Sequence, residues 1–264
     1  MRILVLVAFT ACARNARPDC SSISGLESVA KPGTLVIFGE LHGTSEIPRF
    51  IGDAACAASR SARVHVGLEL PAQDGPLLEA FLSGDDQAFQ RSSFWTKPYQ
   101  DGRSTSAMLA LLRNLRALHV GVFFFDDAAV VESHARDAAM ANNISKERAR
   151  APGDLYLIEV GDYHARRVPG APFDLAMPWM ASLLARRESA LFSLDVRYLP
   201  GSAWTCQMFQ GGEQSCGPTQ LHGTATSAMR AIELTPLPEG YDGTFAVGTI
   251  TATLPAFVSP GRVP

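Results

Sequence analysis

The sequence predicts an α/β fold: a mainly parallel sheet flanked by helices, with a β-rich C-terminal tail. Three observations carry this. Short apolar runs, β-branched or aromatic and bounded by Gly, Pro or Asp, recur along the chain. Between them lie stretches whose apolar residues fall at three- and four-residue spacing. From about Thr205 onward the chain is turn-rich, with short apolar runs only. Strand and helix in alternation point to βαβ units and a parallel sheet.

Leu35–Phe38 is the first expected strand. A helix over Glu46–Ser59 follows, with Ile47, Phe50, Ile51, Ala54, Ala55 and Ala58 on one face and Thr44 or Ser45 as its cap. Val64–Leu68 reads as the second strand, and Leu77, Leu78, Phe81 and Leu82 as the apolar face of a second helix. Ser104 stands where a cap belongs ahead of Met108, Leu111, Leu112 and Leu115. Val120–Phe125 is the third strand, and a polar helix is expected over Ser133–Arg150. Leu155–Val160 is the fourth strand, a short helix over Trp179–Arg187 follows Pro178, and Leu191–Val196 is the fifth strand. The tail is expected to add hairpin or edge strands to a single domain over residues 20–264.

The first 19 residues read differently. "MRILVLVAFTACARNA" has an Arg, an apolar core and then small residues, the pattern of an export leader. Ala11 and Ala13 fit a small-x-small cleavage site; alternatively Cys12 carries lipid. Four cysteines remain. Cys206 and Cys216 bracket "QMFQGGEQS", a polar turn that suits a hairpin closed by a disulfide, which leaves Cys20 to pair with Cys56. The expected location is therefore outside the cytoplasm, periplasmic or as a membrane-anchored lipoprotein, touching membrane only through lipid on Cys12. The net charge of −3 carries no basic surplus of the kind nucleic acid attracts. No C-x-x-C pair points to structural zinc.

Chemistry-bearing residues cluster at the C-terminal ends of the expected strands. Gly39, Glu40 and His42 follow the first, Glu69 the second, Asp126 and Asp127 the third, and Gly161, Asp162 and His164 the fourth. Ligands of open α/β sheets bind outside those ends. Parallel strands would carry two imidazoles and several carboxylates to one rim. Asp126 and Asp127 read equally as caps of the next helix. Arg136, beside Asp137 in the polar helix, is placed to hold an anion or orient a carboxylate. His65, His119, His134 and His222 read as structural or surface residues.

These residues also match a family. "GELHGTSE", "GLELP", "RDAAMANNI" and "GDYHARR" occur in the order seen in the erythromycin esterase-like and ChaN-like group, related to the Tiki/TraB proteins. The chain resembles that group over roughly Leu35 to Arg167. The resemblance implies an α/β core whose cleft carries the Glu/His motif, with catalytic or ligand roles for Glu40, His42, Glu69, Arg136 and His164. Erythromycin esterases space their Glu and His by two residues. Here one residue separates Glu40 from His42, as in ChaN-like proteins, which bind haem and are associated with iron uptake.

Two functions follow from these residues. The first is a hydrolase of ester or amide bonds in a small molecule or peptide. No Gly-x-Ser-x-Gly elbow occurs, so water is the expected attacker. His42 would be the general base, Glu40 or Glu69 its orienting carboxylate, His164 a second acid/base, and Arg136 a partner for developing negative charge. Asp126, Asp137, Asp162 and Tyr163 are candidate substrate contacts. A divalent metal held by Glu40, His42, Glu69 and His164 is a variant. The second function is a haem- or iron-binding envelope protein, with His42, His164 or Tyr163 as iron ligand and "FDLAMPWM" lining an apolar slot.

Overall fold

A computed structural model describes residues 20–257, apart from 128, 131, 173, 209–211 and 213. The leader expected over residues 1–19, with Cys12, lies outside these. In chain order the elements are α1 (Leu26–Val29), β1 (Leu35–Glu40), α2 (Glu46–Ala58), β2 (Val64–Pro71), α3 (Gly75–Leu82), α4 (Ser93–Thr96), α5 (Ser106–Ala117), β3 (Gly121–Asp126) and α6 (Ser133–Arg148). There follow β4 (Leu155–Gly161), α7 (Met180–Leu184), β5 (Leu191–Leu199), β6 (Gly201–Met208), β7 (Gln214–Leu221), β8 (Ala231–Glu233) and β9 (Gly243–Thr249).

The main sheet has seven strands in the order β3-β2-β4-β1-β5-β9-β8. All pair in parallel except the short edge strand β8, which is antiparallel to β9. Every residue of β1 is buried, as are all but the last of β4. That is why the central runs are continuously apolar rather than alternating: helices cover both faces. On one face Val36, Phe38 and Leu157 pack against α2 and α5. On the other Leu35, Ile37 and Ile158 pack against α6 and α7. Phe38, Phe50 and Phe245 form an aromatic trio with centroids 5.2–6.0 Å apart. Each fully buried ring contributes about 2–3 kcal/mol.

The expected β-rich tail divides in two. β9 joins the main sheet beside β5, whereas β6 and β7 form a separate antiparallel hairpin. Cys206 faces Cys216 in that hairpin and is bonded to it, and Cys20 is bonded to Cys56. Both expected disulfides are therefore present, as in proteins that mature in oxidising compartments.

Local expectations shift in four places. The polar helix ends at Arg148, before the Pro152–Gly153 break, and the helix after Pro178 stops at Leu184. Thr105, not Ser104, caps α5 through Met108 N, while Ser104 donates to Gln100 Oε1 at 2.7 Å. Ser45 occupies the N-cap position of α2 without a side-chain bond.

Candidate active site at the strand ends

The strand order sets Asp126, Glu69, Gly161 and Glu40 along one edge, at the ends of β3, β2, β4 and β1. Glu40, Glu69 and Asp126 are all buried. β1 delivers Glu40, and the turn after it brings His42 back so that its Nδ1 bonds Glu40 Oε1. His42 Nε2 lies 3.5 Å from Glu69 Oε2. Burial works against a charged ring, but Glu40 and Glu69 outweigh it and raise the His42 pKa to about 9.

Glu69 is held from every side. Its Oε2 accepts from Gly161 N at 2.7 Å, and its Oε1 accepts from Arg136 Nη2 at 2.7 Å and Arg103 Nη1 at 3.1 Å. Burial opposes its charge, yet His42, Arg103, His164 and Arg136 hold its pKa well below the usual carboxylate range. Asp126 closes the lattice, accepting from Arg136 Nε at 2.9 Å and from Arg103 Nη1 at 2.8 Å. Arg103 also donates to Asp101 Oδ2 at 2.8 Å.

His164 sits on the single helical turn after β4. Its Nδ1 faces Asp137 at 2.9 and 3.0 Å, and Asp137 also accepts from Met180 N at 2.6 Å. Arg136 Nη1 approaches His164 Nε2 at 3.3 Å. A guanidinium only donates, so Nε2 accepts and the ring proton sits on Nδ1 toward Asp137. Both histidines thus point a ring across the same gap, each turned by its own carboxylate. Gly161 leaves that gap open: a Cβ there would stand 3.2 Å from His42 Nε2, 3.5 Å from Glu69 Oε2 and 3.6 Å from His164 Cδ2.

The sequence-predicted residues therefore divide. Glu40, His42, Glu69, Asp126, Arg136, Asp137 and His164 come together. Asp162 and Tyr163 do not enter the network. Asp162 Oδ1 accepts from Tyr163 N at 2.7 Å within its own turn. Tyr163 lies on the rim, beside Trp179 at 5.5 Å and under the Arg166 guanidinium at 4.3 Å. Asp127 accepts from Gln73 Nε2 at the surface. His65 lies toward the opposite edge, 2.8 Å from Asp154. Arg136, expected to hold an anion or orient a carboxylate, donates to the carboxylates of Glu69 and Asp126.

Three residues escaped sequence reading. Arg103 and Asp101 come from "YQDGRSTS", a turn-rich connection between β2 and β3 without periodicity. Glu159 lies inside β4, 1% exposed, with neither carboxylate oxygen hydrogen-bonded. Burial, reinforced by Glu40 and opposed by His42, pushes its pKa well above the usual range. Its signal was visible, a carboxylate inside the apolar run "LYLIEV".

The loops carrying His42 and Arg103 rest on the hairpin. Trp204 N donates to Gly43 O at 2.9 Å and Trp204 Nε1 to Gln100 O at 2.9 Å. A Cβ on Gly43 would meet Trp204 O at 2.1 Å, and one on Gly102 would meet Gly43 N at 2.7 Å. Both glycines also have positive φ, at 83° and 92°.

The cofactor expectations fit this geometry poorly. Among the described residues no group of three or more His, Cys, Asp and Glu is arranged to hold a metal ion. Glu40, His42, Glu69 and His164 do not form such a set, because guanidinium groups already neutralise Glu69. For haem, His42 Nε2 faces Glu69 Oε2 at 3.5 Å and Arg136 meets the second nitrogen of His164, while Tyr163, the third candidate ligand, lies exposed on the rim outside the network. Nor does "FDLAMPWM" line a slot: Met177 and Trp179 bury themselves against Ala171, and Leu175 is 87% exposed.

Neither a protein-family model nor a curated protein matches the sequence. Solved structures do. An erythromycin esterase, EreC, in its open conformation superposes with TM-score 0.61 at 11% identity, covering 88% of this chain and 95% of its own. A succinoglycan biosynthesis protein gives TM-score 0.61 at 8% identity, covering 87% and 91%. A Bacillus cereus protein gives 0.56 at 10% identity, covering 87% and 92%. At such identities the likeness is one of fold: this chain shares the architecture of an erythromycin esterase over nearly its whole length.

Proposed function

We propose that the chain is an exported hydrolase of the erythromycin esterase-like and ChaN-like group that cleaves an ester or amide by attack of water. The observation that carries this is the pair His42 and His164, each oriented by its own carboxylate and facing the gap over Gly161. Such carboxylate–imidazole pairs set the tautomer and stabilise the charged ring, as the third member of a catalytic triad does.

The environments divide the labour. His42 is protonated at neutral pH, because Glu40 and Glu69 hold its pKa near 9. It acts as the acid, steadying the carbonyl oxygen and then giving its proton to the leaving group. His164 offers a lone pair on Nε2. Water entering the gap replaces the long contact from Arg136, loses a proton to Nε2 and attacks the carbonyl carbon. Asp137 then stabilises the imidazolium. This reverses the roles expected from the sequence, where His42 was the base. Arg103 and Arg136 keep Glu69 ionised and hold Glu69 and Asp126 in place. The erythromycin esterase fold supports the reaction class and leaves the substrate open.

The test is a panel of ester and peptide substrates against wild type, His42→Ala and His164→Ala, with and without chelator. Hydrolysis should vanish in both variants. It should also fall as pH rises through about 9. Turnover indifferent to both substitutions would sink the reading. A specific Soret shift on haemin titration, lost in His42→Ala, would move the assignment to haem binding.

A further inference from the structure

Because β1 to β5 run parallel, their N-terminal ends share the edge opposite the site. Backbone bonds draw the connections there side by side: Gly33 N to Asp154 O at 3.2 Å, Leu155 N to Arg63 O at 2.9 Å, and Leu35 N to Ala190 O at 2.9 Å. The five connections, residues 30–34, 59–63, 118–120, 149–154 and 185–190, hold six cations and two carboxylates. The cations are Lys31, Arg60, Arg63, Arg150, Arg186 and Arg187, all exposed. Against them stand Asp154, shared with His65, and Glu188, which accepts from Arg148 Nε at 2.8 Å. Six less two leaves +4 on these connections, where Arg150 also pairs with Glu147 at 2.6 Å, in a chain whose net charge is −3. The opposite edge carries Glu40, Glu69 and Asp126. A cleft of about 490 Å³ opens on the basic face, bordered by Arg63, Arg116, His65 and His119.

The path of the chain adds a second observation. α2 starts at the site edge and runs 13 residues, about 20 Å, so Cys56 in its last turn lies at the basic edge. Cys20 is bonded to it. Cys20, the first described residue, therefore lies on the basic side, and the sequence ahead of it holds Arg2, Arg14 and Arg17 against Asp19.

We infer that this basic face rests on the anionic phospholipid headgroups of a bilayer and holds the candidate active site away from it. Five of the six cations are arginines, whose planar fork matches phosphate oxygens. The six cations are spread over four separate connections, which suits a surface of repeated charges. Each cation near an anionic membrane strengthens binding about fivefold, an effect that salt screens.

The experiment is co-sedimentation of the full chain with vesicles of pure phosphatidylcholine or of equimolar phosphatidylcholine and phosphatidylglycerol, at low and high salt. Wild type should sediment with the anionic vesicles alone, and less at high salt. Reversing Arg60, Arg63, Arg186 and Arg187 to Glu should weaken this by at least about tenfold. Arg91→Glu with Lys97→Glu, at exposed or half-buried positions elsewhere, should not. All variants keep residues 1–19, so the difference belongs to the basic face. Should the reversal unfold the chain, the four Arg→Gln changes give the same ranking with less perturbation. Equal binding to both vesicles, or binding unchanged by the basal substitutions, overturns the inference. So does salt-sensitive retention on heparin without vesicle binding, which would assign the face to a soluble polyanion.

Discussion

Glu40→Gln tests the electrostatic core of the site. In the wild type His42 is lifted from 6.5 to about 9. A group whose folded pKa is raised stabilises the fold fully below its unfolded value and loses that contribution as pH climbs through the folded one. The window is therefore pH 6.5 to about 9. The full lift is worth about 3 kcal/mol, an upper bound because the ring is partly solvated; its exposure is 26%. Glutamine keeps an acceptor near Nδ1 but removes the larger of the two carboxylate attractions. Burial and Arg103 then act against Glu69 alone, and His42 should titrate near or below 6.5. The imidazole is followed directly by NMR, and the energetic consequence by urea unfolding across the window. Wild type should lose stability with rising pH more steeply than Glu40→Gln. Glu159 adds a slope of the same sign, because a buried acid with a raised pKa folds best protonated, and Glu40→Gln weakens that too, so the NMR titration and not the slope alone assigns the effect to His42. A wild-type His42 that titrates near 6.5, or parallel slopes in the two proteins, would refute the reasoning.

Other perturbations give equally definite expectations. Gly161→Ala places a methyl 3.2 Å from His42 Nε2 and should abolish hydrolysis with little loss of Tm, since φ at this position is −53°; unchanged kcat/KM would show that the gap is not where substrate reacts. Arg103→Ala strips a cation from three carboxylates and should cost about 3–5 kcal/mol in denaturant unfolding, with Arg103→Lys a poor substitute for the fork. Glu159→Leu replaces an unpartnered buried carboxyl and should raise stability by about 1–3 kcal/mol; destabilisation on thermal scans would mean the carboxyl has a partner in solution. Removing Cys20–Cys56, with sequence separation 36, should cost more than removing Cys206–Cys216, with separation 10. Loop entropy puts the difference at about 1 kcal/mol, readable as a gap between the two double-Ser variants.

Much of the fold was legible because its strands are buried on both faces, so "LVIF", "VFFF" and "LYLI" stand out as continuous apolar runs. The site was legible where chemistry coincides with those runs: Glu40, Glu69, Asp126 and His164 all follow a strand directly. Arg136 and Asp137 were read from their place in the polar helix, and the motif match added weight to Arg136. Arg103 was not found, because a loop side chain acquires its role only from the three strands and turns it reaches, and no local periodicity records that. Tyr163 shows the converse. It adjoins His164 in sequence, but the single helical turn there sends adjacent side chains in different directions.

The seating of Gly43 and Gln100 on Trp204, with Gly102 packed on Gly43, sets an order of assembly. The residues that form the gap come from β1, β2, the connection before α5, β3, α6 and β4, yet the strand beneath their two loops arrives only with residue 204. A nascent chain can pair its first four parallel strands and still lack that floor. The reactive geometry is thus among the last features to form, after the C-terminal hairpin has folded back across the sheet. A chain truncated before that hairpin would keep Glu40, His42 and Arg103 in sequence while losing the surface that holds their loops together.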